Sequence, residues 1–155
     1  MIFDIDITAC FTGHRIVKRD FNYKRIDEAI EDLYESGYRI FLNGMALGFD
    51  TLCFKRLMVL RKVYPDIKII ACVPCNDQAE LFSERDKKIY ADMIEKADDK
   101  IVISESYTET CMKERDRFMV DNSSVCVSYV YKSLGGAYYT TKYAVENNKE
   151  IIYLK

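Results

Sequence analysis

The residues able to do chemistry fall in four short stretches. These are Thr12-Gly13-His14-Arg15, Gly44-Met45-Ala46-Leu47-Gly48 with Asp50 just beyond, Arg115-Asp116 with Asp121 further on, and Gly135-Gly136 with Thr140 and Thr141. Hydroxyls, an imidazole, two arginines and exposed glycine backbone suit an anionic ligand carrying phosphate or ribose. His14 is the only histidine, so any imidazole-dependent proton transfer falls to it; it reads first as structural or phosphate-binding. The stretch from Gly44 to Gly48 is not a Walker motif, because no Gly-Lys-Ser/Thr follows, and it is not the dinucleotide fingerprint G-x-G-x-x-G. Its small residues would let a ligand approach the main chain of Gly44, Met45, Ala46 and Gly48 closely.

Two charged positions carry alternatives. Asp50 falls near the start of a helix, where a carboxylate either caps the helix or accepts ribose hydroxyls. Arg115 lies on the apolar side of its helix with Cys111, Met112, Phe118 and Met119. An inward arginine needs a carboxylate, with Glu114, Asp116 and Asp121 close by, or an anionic ligand. If a bond is broken here, Asp50, Arg115, Asp116 and Asp121 are the catalytic candidates. Several tyrosines (Tyr129, Tyr131, Tyr138, Tyr139 and Tyr143) surround the last glycine pair, and one of them could stack on a base.

Hydrophobic periodicity supplies the elements that would position these groups. Strands are expected at Ile5–Phe11, Arg39–Leu42, Ile67–Val73, Lys100–Ile103, Val125–Tyr129 and Ile151–Leu154. Helices are expected from Tyr23 to Ser36, from Thr51 to Tyr64, in two pieces between Asn76 and Ala97, from Cys111 to Asn122 and from Ala137 to Asn147. Ile26, Ala29, Ile30 and Leu33 form the stripe of the first helix, and Gly37 is placed to end it. Strands alternating with helices predict a doubly wound, mainly parallel α/β sheet flanked by helices, of Rossmann-like form, with residues 1–155 as one domain. All three glycine junctions then fall at strand carboxyl ends, where such sheets bind ligands.

Composition narrows the classes. A formal charge of −2 gives no general reason for nucleic-acid binding, although Arg15, Lys18 and Arg19 make the Thr12 to Lys24 loop locally basic. The run from Ile2 to Phe11 lacks the form of a signal peptide, and no stretch is apolar enough to span a membrane, so the expected compartment is the cytoplasm. Six cysteines read as buried reduced thiols. Cys72-Val73-Pro74-Cys75 has redox spacing but no downstream proline, and no second ligand pair suits zinc, so no metal and no required cofactor are expected.

Taken in order, Phe11-Thr12-Gly13-His14-Arg15, Gly44 through Asp50, Glu114-Arg115-Asp116-Arg117-Phe118-Met119-Val120-Asp121 and Leu134-Gly135-Gly136 resemble the SLOG superfamily. This Rossmann-like group includes DprA-type and LOG-type proteins, and the likeness lies nearest its YpsA-like branch of bacterial and phage proteins. It covers essentially the whole chain. It implies a nucleotide or ADP-ribose-like ligand across the strand ends, and a homodimer. LOG-type enzymes cleave the N-glycosidic bond of nucleoside monophosphates with an Arg matching Arg115 and a Glu after a P-G-G-x-G-T turn. Here the turn reads Leu134-Gly135-Gly136-Ala137-Tyr138-Tyr139, the Glu position is Lys142, and Glu146 lies a turn further on. DprA-type likeness implies instead single-stranded DNA binding. Nucleotide sensing is the leading expectation, with N-glycosyl hydrolysis and DNA binding as alternatives.

Overall fold

A computed structural model of the chain describes residues 3–155. Met1 and Ile2, part of the strand-like N-terminal run, lie outside the described residues. Six strands form one parallel sheet: β1 (Thr8–Gly13), β2 (Ile40–Asn43), β3 (Lys68–Cys75), β4 (Asp99–Ser104), β5 (Val125–Tyr129) and β6 (Glu150–Tyr153). Five helices alternate with them: α1 (Lys24–Glu35), α2 (Phe49–Arg61), α3 (Glu84–Lys96), α4 (Cys111–Asp121) and α5 (Gly136–Glu146). The spatial order is β4-β3-β2-β1-β5-β6, so the winding reverses between β1 and β5. That is the doubly wound Rossmann-like architecture, and its switch point lies at Gly13 beside Tyr129.

Side-chain alternation divides the core between the two faces of the sheet. Phe11, Phe41, Ile69, Val73 and Val127 pack under α1, α2 and α3 with Ile26, Ile30, Phe54 and Leu57. Cys10, Leu42, Cys72 and Cys126 pack instead against Met119 and Val120 of α4 and Ala144 of α5. The predicted stripe of α1 is buried at all four positions. The helix closes with Tyr38 N–H on Leu33 C=O at 2.9 Å and Gly37 N–H on Tyr34 C=O at 3.0 Å. Gly37 takes φ +101° to make that cap, a conformation glycine adopts without strain. Arg56 clamps Asp27 through two bonds of 2.8 and 2.9 Å, tying α2 to α1.

Several expected boundaries shift in the structure, α2 running Phe49–Arg61 in place of Thr51 to Tyr64 among them, and three further segments differ. Residues Ile5–Ile7 form a short 3-10 turn, and the first strand begins at Thr8. Asp4 is the cause: its carboxylate accepts the Asp6 N–H at 3.1 Å, and its carbonyl accepts the Thr8 hydroxyl at 2.7 Å. The segment from 76 to 82 is a series of turns, not a helix. Its polar side chains favour turns, and the helix starts only where Ser83 caps it by accepting the Asp86 N–H at 3.2 Å. Finally, β3 runs on through Cys75, so Cys72 and Cys75 are both strand residues. An odd spacing on a strand puts their sulfurs on opposite faces, which prevents a disulfide between them. All six thiols are free and buried.

Candidate functional site

The loop after β2 is shaped by Asn43, a residue absent from the sequence-based site. Its amide donates to the Asp50 carbonyl at 2.9 Å, and its Oδ1 accepts the Met45 N–H at 2.8 Å. An asparagine closing on the N–H two residues ahead is a common turn device, and that signal was present in the sequence. The closure holds buried Met45 at φ +63°, a strained conformation for a residue with a Cβ. Gly48 then precedes α2 with φ +84°, packed so tightly that a Cβ there would lie 1.9 Å from the Arg15 carbonyl oxygen. Gly13 is small for a related reason, since a Cβ would sit 2.3 Å from the Phe49 ring. Both glycines make the loops after β1 and β2 stack on each other.

Beneath this loop lies a buried charged cluster. Asp50 is 6% exposed and sits in the first turn of α2, behind the Gly48 N-cap. Its Oδ2 accepts the Ala46 N–H at 3.3 Å, back toward the loop, and its Oδ1 has no partner among the described residues. Arg115, also 6% exposed, reaches across from α4 on the other face of the sheet. Its Nη1 donates to the Gly44 carbonyl, and its Nε donates to Asp116 Oδ1 at 2.6 Å. Gly44 is wedged between the charges: a Cβ there would lie 2.9 Å from Arg115 Nη1 and 3.0 Å from Asp50 Oδ2. The Gly44 carbonyl also accepts Gln78 Nε2 at 3.1 Å, and the Tyr90 hydroxyl orients that amide from 2.9 Å. Asp116 faces the Thr140 hydroxyl with its other oxygen at 3.1 Å, and the single proton of that hydroxyl is shared with Gly136 C=O at 2.8 Å. The chain of contacts therefore runs from Asp50 past Gly44 to Arg115, then through Asp116 to the first turn of α5.

Burial pushes the Asp50 carboxyl up to about 7; Arg115 opposes that shift and Asp116 adds to it. At neutral pH this carboxyl is therefore poised between donor and acceptor. The unfolded group titrates near 3.8, so the folded state binds the proton more tightly. The stability it contributes is complete below the unfolded value and is lost as pH rises through 7. Asp50→Asn removes that loss. Its melting temperature relative to the parent is expected to rise by roughly 5–10 °C, about 2–3 kcal/mol, between about pH 5 and pH 8. Thermal melts across that range check this, and a constant offset would contradict the buried proton.

The remaining sequence candidates divide between this cluster and other places. Thr12 and His14 are buried at the end of β1, whereas the Arg15 side chain is exposed and has no ion-pair partner among the described residues. Thr141 bonds to Ser128 at 2.6 Å inside the core. Asp121 is exposed and accepts the Tyr143 hydroxyl at 2.7 Å, apart from the Arg115 cluster. Gly135, at φ +95°, and Gly136 open α5 with free space where a Cβ would stand. A groove of about 550 Å³ between α4 and α5 begins there, lined by Asp116, Gly136, Thr140 and Lys142 among others. Glu146 lines it too, and the acidic side chains of that lining are Glu109, Asp116 and Glu146. Among the described residues no group of three or more His, Cys, Asp or Glu side chains is arranged to hold a metal ion.

A parallel doubly wound sheet with a buried carboxylate–guanidinium cluster at its carboxyl edge places the protein among Rossmann-like α/β proteins. The model of the YpsA family, described as the YspA SLOG family, matches residues 14–154, and the chain belongs to that family. It is 30% identical over 129 residues to the uncharacterized SPbeta prophage-derived protein YoqJ of Bacillus subtilis strain 168, covering 74% of this chain and 75% of that protein. The fold resembles DNA processing protein A from Streptococcus pneumoniae with a TM-score of 0.67 at 17% identity, over 94% of this chain and 49% of that one. It also resembles DNA processing protein A from Helicobacter pylori, a structure described for its single-stranded DNA binding mode. There the TM-score is 0.66 at 15% identity, over 97% of this chain and 68% of that one. The chain thus spans about half the length of the pneumococcal protein. No helix among the described residues is long and apolar enough to cross a membrane.

Proposed function

We propose that the carboxyl edge of the sheet binds a nucleotide or nucleotide derivative of the ADP-ribose kind, with Asp50 holding ribose hydroxyls. One observation carries this reading: among the described residues Asp50 Oδ1 is buried without a partner, while Oδ2 of the same carboxylate stands against Gly44. A buried acceptor left unpaired costs roughly 1–3 kcal/mol, which a ligand hydroxyl recovers. Of the two roles that the sequence leaves open for Arg115, its contacts support the ion pair. Two of its N–H donors are engaged by Asp116 and Gly44, and Asp50 and Asp116 flank its charge, which disfavours phosphate there. The anionic part of the ligand is better served by the open Gly135–Gly136 turn at the start of α5 and by exposed Arg15.

Calorimetry of the intact protein against nucleotides, cyclic nucleotides and ADP-ribose derivatives tests the reading. Binding of at least one ribose-bearing ligand is expected, weakened about tenfold or more by Asp50→Ala. Silence across the panel at millimolar ligand would defeat it. Release of free base in the same samples would instead favour N-glycosyl hydrolysis, with Asp50 and Asp116 as the acidic groups at hand. Light scattering on the same samples reads whether the binding unit is the homodimer that the family likeness implies. A second reading, single-stranded DNA binding, is favoured by the exposed basic loop of Arg15, Lys18 and Arg19 together with exposed Tyr131. That binding would weaken steeply with salt, whereas a hydroxyl-gripping site would not.

A further inference from the structure

On the far side of β1 from Asp50, the ends of β5 and β6 and the loop before α1 enclose a second cavity of about 460 Å³. That volume falls within the roughly 300–1,000 Å³ of small-molecule sites. Its lining includes Phe21, Tyr129 and Tyr131 with Lys18, Lys155 and Asp20. None of these residues belongs to the Asp50–Arg115–Asp116 cluster.

The wall is aromatic. Phe21 and Tyr129 have ring centroids 4.6 Å apart, and Tyr129 and Tyr131 5.4 Å apart, tilted by 59°. Lys18 Nζ stands 4.3 Å from the centroid of Tyr131, and Lys132 Nζ 6.0 Å from it, so positive charge collects at the same ring. Two polar groups here are incompletely bonded. The Tyr129 hydroxyl accepts the Lys18 N–H at 3.1 Å, and among the described residues nothing accepts its own proton. His14 packs edge-on against Tyr131 at 4.5 Å; it is 6% exposed, and its Nε2 has no partner. Burial first, then Lys132, holds that imidazole below its ordinary pKa, so it stays neutral and keeps both a donor and an acceptor. The Tyr129 phenol proton, left unpaired in the lining, is a group whose desolvation a ligand offsets, and the His14 nitrogen lies behind the Tyr131 ring of that lining.

We propose that this cavity binds a small aromatic or heteroaromatic anion, its ring among Phe21, Tyr129 and Tyr131 and its charge on Lys18 in the lining, with Lys132 adding positive charge from outside the lining at the same Tyr131 ring. Aromatic rings prefer edge and offset contacts of the kind this wall offers, and Lys18 turns from the Tyr131 face toward the anion. Asp20, the one acidic side chain in the lining, disfavours a polyphosphate and leaves room for a single anionic group. The site is distinct from the nucleotide reading in its lining, which holds none of Asp50, Gly44, Arg115 or Asp116, although Tyr129 stacks at 5.4 Å on Phe49, the residue before Asp50.

The test uses intact protein with labelled tyrosine and histidine rings, titrated with benzoate and, separately, with cyclohexanecarboxylate, which carries the same charge without the aromatic ring. Benzoate is expected to shift the Tyr129 and Tyr131 ring signals and the His14 imidazole signals saturably at millimolar concentration. Cyclohexanecarboxylate should bind several-fold more weakly. Lys18→Gln, at an exposed position, should weaken benzoate about fivefold or more, while Asp50→Asn leaves it unchanged. Absence of saturable shifts at Tyr129 and Tyr131 overturns the site. Equal response to the saturated acid overturns the aromatic assignment, and an unaltered Lys18→Gln affinity (repeated with Lys132→Gln) overturns the charge assignment.

Discussion

Replacing Arg115 with Ala is expected to destabilise the protein by about 3 kcal/mol near pH 8, and by clearly less near pH 5. The pH dependence comes from what the arginine faces. Its charge is buried at 6% exposure between Asp50 and Asp116, and removal leaves two carboxylates without a cation. Asp116 keeps the Thr140 hydroxyl and is 21% exposed at its side chain, so water softens its loss. Asp50 has neither relief. With Arg115 gone, the opposition to burial disappears and its carboxyl titrates still higher. At acid pH the proton is already on, and the variant loses little on that account. Chemical denaturation at both pH values checks the difference. The double variant Asp50→Asn with Arg115→Met separates charge from packing: an apolar, neutral replacement of the pair should recover most of the loss. Failure to recover would mean that the Arg115 bond to Gly44, not its charge, holds the loop.

Gly48→Ala is expected to be more severe, costing about 4 kcal/mol or more and leaving little soluble folded protein. Two independent causes add. The backbone stands at φ +84°, where a Cβ is strained, and that Cβ would lie 1.9 Å from the Arg15 carbonyl oxygen and 2.4 Å from its carbon. Main chain cannot step aside as a flexible side chain can. Any relief must separate the loop after β1 from the start of α2, breaking the Phe49 N–H bond to His14 C=O at 3.2 Å. Gly135→Ala is the control: its φ is +95°, yet nothing stands within 4 Å, so only the strain remains, about 1 kcal/mol. Urea unfolding of the two variants side by side reads both values. Near-equal losses would show that conformation, not the contact with Arg15, governs Gly48.

Local pattern determined most of the fold. The buried stripe of α1, the limits of β5, the alternation of strand and helix and the parallel sheet all follow from hydrophobic spacing, because periodicity reports which face each element must bury. The stretch from 76 to 82 misled for the same reason: its scattered apolar residues carry a helical rhythm, but polar turn residues and the Ser83 cap decide it. The glycine stretches also marked the loops that line the carboxyl edge. Only the tertiary structure assigned their roles. Gly13 and Gly48 admit Phe49 and Arg15, while Gly44 admits the Asp50 and Arg115 charges.

The sequence left Asp50 open between cap and ribose acceptor, and Arg115 open between ion pair and anion site. Asp116, the neighbour of Arg115 in sequence, is one of the partners the sequence already offered, whereas sheet order brought Arg115 to Gly44 across 71 residues. No local rule could supply that, since the meeting depends on how α4 packs beneath β2 and β3. The unpartnered atoms of Asp50 and His14 were equally illegible beforehand, because an unmade hydrogen bond exists only once every neighbour has been placed.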